Sequence, residues 1–178
     1  MSLIERPIYL IGLPGVGKTT LGRALSAHLS VPFIDLDEAI VADAGMTIPQ
    51  IFAAEGESGF RRRESQLLRD ICATPAIIAC GGGTPCQPGN MELMNDTGTT
   101  VCLFAPISLL ASRIASQPGT RPMFNNADIE SKVRELANKR KPFYDAAQHR
   151  FDASLLESTQ QIEATTQRFV CEILNAQK

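Results

Sequence analysis

Gly12-Leu13-Pro14-Gly15-Val16-Gly17-Lys18-Thr19 has the spacing of a phosphate-binding loop, G-x-x-x-x-G-K-[ST]. Each residue type in it answers a physical need. Gly12, Gly15 and Gly17 can take backbone angles closed to bulkier residues, so successive N–H groups turn inward as an anion cradle. The helix that follows adds its positive end. Lys18 supplies a mobile charge for the outer phosphates, and Thr19 a hydroxyl for Mg²⁺. Both flanks agree with the motif. Ile8-Tyr9-Leu10-Ile11 is a short apolar run of strand formers. From Thr20 to Leu29, Leu21, Leu25 and Leu29 fall on one helical face.

Outward from this unit, strand and helix patterns alternate, which predicts an α/β fold with a mostly parallel sheet. Val31 to Leu36 reads as the second strand. Thr47-Ile48-Pro49-Gln50 is a capping box opening a short helix through Ala54, and a longer helix follows from about Glu57 to Cys72. Ala76 to Cys80 reads as a buried strand ending in Gly81-Gly82-Gly83. Thr100 to Phe104 is a strand and Ile107 to Ala115 a helix. Gln117 to Asn126 has no period and reads as a loop. Asp128 to Tyr144 is helical, Arg150 to Asp152 a strand end, and Ser158 to Asn175 a last helix, with Ser158 and Gln161 as a second capping box. No repeat or linker interrupts the chain, so residues 1–178 are expected to form one domain.

Composition narrows the function classes. A net charge of −2 over 178 residues argues against a general nucleic-acid binder. No stretch reaches the length of a membrane span. The five cysteines form no C-x-x-C pair and no metal spacing, and three lie in apolar stretches that suit small core residues. An odd count without a secretory leader points to a reducing cytoplasm.

In a parallel α/β sheet, ligands lie beyond the carboxyl ends of the strands. The first strand ends in the phosphate loop, the second in Asp35-Leu36-Asp37, the third in three glycines. On an extended backbone Asp35 and Asp37 share a side. One then serves Mg²⁺ and the other a substrate hydroxyl. Asp37 also suits the cap of a helix beginning at Glu38, and spacing leaves both readings open. In Phe60-Arg61-Arg62-Arg63-Glu64, Glu64 can brace Arg61 as an i, i+3 neighbour, and a braced guanidinium clamps carboxylates well. Arg62 and Arg63 read as solvated charges. The glycines suit close approach of backbone to a ligand, or a flexible turn. Arg121-Pro122 lies in a loop of lid length, where Arg121 can act as an arginine finger or stand exposed. Arg140, near Pro142, reads as a second clamp on an acidic substrate or as a surface charge. Neither His28 nor His149 receives a catalytic role.

Together these residues resemble the shikimate kinase family. The resemblance runs from Ile8 to about Ser154. It rests on G-x-x-G-x-G-K-T at Gly12 to Thr19, D-x-D at Asp35 and Asp37, and F-R-x-x-E at Phe60 to Glu64. It continues with G-G-G at Gly81 to Gly83, R-P at Arg121, and R-x-P-x-Y at Arg140 to Tyr144. It implies ATP-dependent phosphorylation of the 3-hydroxyl of shikimate, toward chorismate and the aromatic amino acids. The implied fold is the three-layer P-loop kinase fold, with five parallel strands in order 2-3-1-4-5, a lid at about 117–127 and a shikimate-binding region at about 35–64. By resemblance, Gly12, Pro14, Gly15, Val16, Gly17, Lys18, Thr19 and Thr20 hold ATP. Arg113 stacks on adenine, with Asp152, Ala153 and Ser154 nearby, and Arg121 reaches ATP from the lid. Asp37 holds the substrate hydroxyls and acts as base, while Thr19 and Asp35 serve Mg²⁺. Arg61 and Arg140 bind the shikimate carboxylate, and Gly82 and Gly83 contact shikimate. Lys18, Asp37 and Arg121 form the implied catalytic set. The lid departs from the family's R-P-L-L, reading Arg121-Pro122-Met123-Phe124, and one extra residue separates Arg113 from Arg121.

The expected partners are shikimate and ATP, with no nucleic acid and no membrane, and the chain is expected to be a monomer. Two other readings stay in view. One is a kinase for another hydroxylated acid such as gluconate, or for a nucleotide. The other is a nucleotide-binding regulator, which has no need of Asp37, Arg61 and Arg140.

Overall fold

A computed structural model describes residues 4–116 and 128–175. Five parallel strands run β1 (Ile8–Ile11), β2 (Phe33–Asp35), β3 (Ile77–Ala79), β4 (Thr99–Phe104) and β5 (His149–Asp152). They lie in the order β2-β3-β1-β4-β5. The helices are α1 (Lys18–Leu29), α2 (Leu36–Ala44), α3 (Ile48–Ile71), α4 (Asn90–Thr97), α5 (Ile107–Ala115), α6 (Ile129–Tyr144) and α7 (Thr159–Phe169).

The central strands β1 and β3 are apolar and buried because helices cover both sheet faces, while the edge strands β2 and β5 carry polar residues such as Asp35 and Arg150. Alternation in β1 sorts its side chains between two cores. Ile8 and Leu10 pack with Leu21, Leu25 and Leu29 of α1 and with Phe169 of α7. Tyr9 and Ile11 pack with Leu68 of α3 and with Met91 and Met94 of α4. A third cluster, Leu36, Ile40, Ile51 and Phe60, joins α2 to α3 outside the sheet.

Thr47 opens α3 with both halves of its capping box formed. The break expected between a helix through Ala54 and one from about Glu57 is present: α3 is two helical arms joined at a kink at Gly56, which has φ 69°. At Ser158 only half of the expected box forms. Ser158 Oγ accepts from Gln161 N at 3.3 Å, but Gln161 Oε1 accepts from Glu157 N at 2.9 Å, one residue too early. The last helix also changes character, with a wider π turn over Val170–Leu174. Thr84–Cys86, a short 3₁₀ turn, and α4 lie in a stretch for which no element was expected. Two cysteines are buried rather than three, namely Cys80 and Cys102. Among the described residues no helix is long and apolar enough to cross a membrane.

Candidate active site

The carboxyl ends of β1, β2 and β3 open on one cavity of about 630 Å³. Its walls include Gly15, Lys18 and Thr19 on one side and Asp37, Gly81 and Gly82 on the other.

The phosphate loop keeps its glycines for two separate reasons. Gly12 has φ 143°, and a Cβ there would lie 2.5 Å from the Leu103 carbonyl oxygen. Gly17 caps α1 at φ 101°, and its Cβ would lie 2.4 Å from Leu156 Cδ1. A side chain at either position would push the loop off the sheet. Lys18 Nζ folds back over the loop, donating to Gly12 O at 2.9 Å and Leu13 O at 3.1 Å. Arg113 fastens the loop from outside. Its guanidinium donates to Ser154 O at 2.8 Å, Ala153 O at 3.3 Å and Glu157 Oε1 at 2.8 Å. It also reaches Gly15 O and Val16 O, both at 3.5 Å. Those bonds hold the segment after β5 against the phosphate loop.

The aspartate pair corrects the capping reading of Asp37. The strand stops at Asp35, and Asp35, not Asp37, caps α2. Its Oδ1 accepts from Asp37 N at 3.1 Å. Its Oδ2 accepts the Thr19 hydroxyl at 2.9 Å. Thr19 and Asp35 thus set two hard oxygen donors side by side at the loop, a donor set that fits Mg²⁺. Asp37 stands in the first turn of α2 and is relieved of the capping task. Burial holds its carboxyl above the usual carboxylate range. Asp35 and Glu64 push it further up, while Lys18 and Arg61 pull it down.

The glycine turn is where the two arginines meet. A Cβ on Gly82 would lie 2.5 Å from Arg140 Nη1, and one on Gly83 would lie 2.7 Å from Arg61 Nη2. Glycine here lets guanidinium groups from α3 and α6 come close to the backbone. The turn is pinned, not flexible: Tyr144 Oη donates to Gly82 O at 2.8 Å, and Thr84 N donates to Gly81 O at 3.1 Å. Arg61 Nη1 donates to the fully buried Glu64 at 2.8 Å, as the i, i+3 spacing anticipates. Among the described residues, buried Arg140 Nη1 and Arg61 Nε have no hydrogen-bond partner. Buried cationic donors without partners are costly, and an anion at this wall relieves that cost.

Arg62 is exposed as expected, but Arg63 is not a solvated charge. Its Nη2 donates to Glu55 Oε1 at 2.7 Å and its Nε to both Glu55 oxygens, at 3.0 and 3.2 Å, across the Gly56 bend. That pair braces the bent helix that carries Arg61. Arg121 and the rest of the expected lid at 117–127 lie outside the described residues. Residues that the sequence reading left out also line the cavity, namely Cys80, Ser116, Leu156 and Glu157. Leu156 carries no motif; only its contact with Gly17 reveals it. Tyr144 stood inside R-x-P-x-Y, but its task of pinning Gly82 depends on a partner 62 residues away.

A parallel sheet in this strand order, with a phosphate loop leaving its central strand and a cavity at the strand ends, defines a P-loop kinase. Known proteins make the class specific. The Shikimate kinase family model matches residues 14–172, so the chain belongs to the shikimate kinase family. It is similar to a shikimate kinase of Phocaeicola vulgatus, 41% identical over 162 residues, covering 89% of this chain and 93% of that protein. The crystal structure of shikimate kinase from Bacteroides thetaiotaomicron matches with a TM-score of 0.90 at 38% identity, covering 96% of this chain and 98% of that one. Shikimate kinase from Acinetobacter baumannii, solved in complex with shikimate, matches with a TM-score of 0.84 at 35% identity, covering 96% and 94%.

Proposed function

We propose that this chain phosphorylates the 3-hydroxyl of shikimate with ATP, by direct in-line transfer across the cavity between the phosphate loop and the glycine turn. The observation that carries the reading is the pair of buried guanidinium nitrogens, Arg140 Nη1 and Arg61 Nε, beside Gly82 and Gly83. Two arginines on separate helices fit one planar carboxylate. A nucleotide regulator would have no use for them.

On the donor side, Gly12, Pro14, Gly15, Val16, Gly17 and Thr20 cradle the phosphates of ATP. Lys18 leaves the Gly12 and Leu13 carbonyls and meets the outer phosphates. Thr19 and Asp35 hold Mg²⁺, which when bound offsets charge on the phosphates. Arg113 keeps the segment after β5 pressed to the loop, and its stem edges the base site. Arg121, from the lid, completes the charge that meets the transferring phosphoryl.

On the acceptor side, Arg61 and Arg140 hold the carboxylate, and Gly82 and Gly83 give the ring close approach. Asp37 accepts from the ring hydroxyls and takes the proton of the attacking one. Its raised pKa suits a base better than an ordinary carboxylate would. The chain works as a monomer in the cytoplasm, consistent with all of this chemistry coming from one polypeptide.

Calorimetric titration tests the clamp. Shikimate binds, and its methyl ester, with the same ring and no charge, binds at least about tenfold more weakly because charged hydrogen bonds are lost. Equal binding of acid and ester would remove the arginines from the acceptor site.

A further inference from the structure

Behind the acceptor wall lies a buried polar pair outside the residues that line the cavity. Glu64 and Thr84 are both fully buried. The two Glu64 oxygens have different partners: Oε2 accepts from Arg61 Nη1 at 2.8 Å, and Oε1 accepts the Thr84 hydroxyl at 2.5 Å. Thr84 is itself held firmly. Its carbonyl accepts from Asn90 Nδ2 at 2.9 Å and from Gln87 N at 3.3 Å. Its hydroxyl faces the glycine turn, 3.1 Å from where a Cβ on Gly81 would stand.

We propose that Thr84 is a positioning residue for the acidic substrate, acting through its hydroxyl bond to Glu64 to hold the Arg61 guanidinium against Gly83. The inference rests on the reading of Arg61 as a carboxylate clamp. An ionised carboxylate only accepts, so the single Thr84 proton is committed to Glu64. Remove that hydroxyl and Oε1 is buried without a donor, a situation the side chain escapes by turning. Turning takes Oε2 away from Arg61. A competing partner is already in place, because Arg61 Nη2 lies 3.6 Å from the exposed Glu57. The freed guanidinium then drifts toward Glu57 and out of line with the substrate carboxylate. Glu64 alone therefore does not fix Arg61; the residue just after the three glycines decides which glutamate holds it.

Steady-state kinetics with each substrate varied in turn tests this. Thr84→Ala raises KM for shikimate by about tenfold, the scale of one impaired charged hydrogen bond, and leaves KM for ATP and kcat within about twofold. Thr84→Ser, which keeps the hydroxyl, restores the KM. In an Arg61→Ala background, Thr84→Ala adds nothing further, because the group it positions is gone. Thr84→Val keeps the branched volume and serves if the alanine variant melts early. An unchanged KM for shikimate in the Ala and Val variants would overturn the proposal, and so would equal rises for both substrates. A full added effect in the Arg61→Ala background would overturn it as well. Arg61→Ala alone is the control: if it leaves the shikimate KM unchanged, the clamp reading itself has failed.

Discussion

Replacing Gly82 with alanine should separate substrate binding from folding. The new Cβ would stand 2.5 Å from Arg140 Nη1, so the guanidinium must retreat by about 0.9 Å to reach an ordinary contact distance. Gly82 is not among the residues with positive φ, so alanine meets no backbone penalty there. The obstructed atom is also the far end of a long side chain. Stability should change little, helped by the lower unfolded-state entropy of alanine. The substrate carboxylate is affected far more. A charged hydrogen bond contributes about 1.5–3 kcal/mol, and losing its alignment lowers affinity by roughly 10- to 150-fold. The assay is coupled ADP release with shikimate and ATP varied separately, beside a thermal melt. KM for shikimate rises by at least about tenfold, KM for ATP holds within about twofold, and Tm stays within a few degrees. A shikimate KM within about twofold of wild type, with the fold intact, would refute Arg140 as a clamp at Gly82.

Two further substitutions probe the other parts of the site. Lys18→Ala removes the charge that offsets the transferring phosphoryl, so turnover falls by at least about 10²–10³ in the coupled assay while the melt stays cooperative. Asp37→Asn lowers turnover by about 10²–10⁴ with ATP affinity nearly unchanged by titration. The same substitution raises Tm of the substrate-free protein at neutral pH, because ionised Asp37 is buried beside Asp35 and Glu64. The sign with pH follows from a carboxyl whose folded pKa is raised. Its ionised form costs stability above the folded pKa, and that cost fades as pH falls through it. The Tm advantage of Asp37→Asn therefore shrinks toward acid, while wild-type turnover declines in the same direction as the base protonates.

Local patterns could be read wherever one short stretch carried the whole physical reason. The phosphate loop announces itself by glycine spacing and by the flanks Ile8–Ile11 and Thr20 to Leu29. The capping box at Thr47 and the Arg61–Glu64 brace are likewise contained within four residues. Errors arose where a second segment intervenes. Arg63, read as a solvated charge, pairs across the kink with Glu55 on the preceding helical arm. Arg113 also donates to carbonyls 40 and 41 residues away, contacts that its expected place beside the base did not foretell. Thr84 reaches Glu64 over 20 residues through a core with no local signal. In each case the side chain's partner is set by tertiary packing, which spacing along the chain does not encode.

Coupled ADP release with ATP over a panel of acids tests the two-sided site most directly. The panel is shikimate, gluconate, the shikimate methyl ester and a nucleoside monophosphate, each at saturating concentration. Shikimate alone should support rapid turnover, with the product carrying phosphate on the 3-hydroxyl. Equal turnover on gluconate or the nucleotide, or ATP binding with no turnover on any acid, would contradict a site built from Lys18 and Thr19 facing Asp37, Arg61 and Arg140.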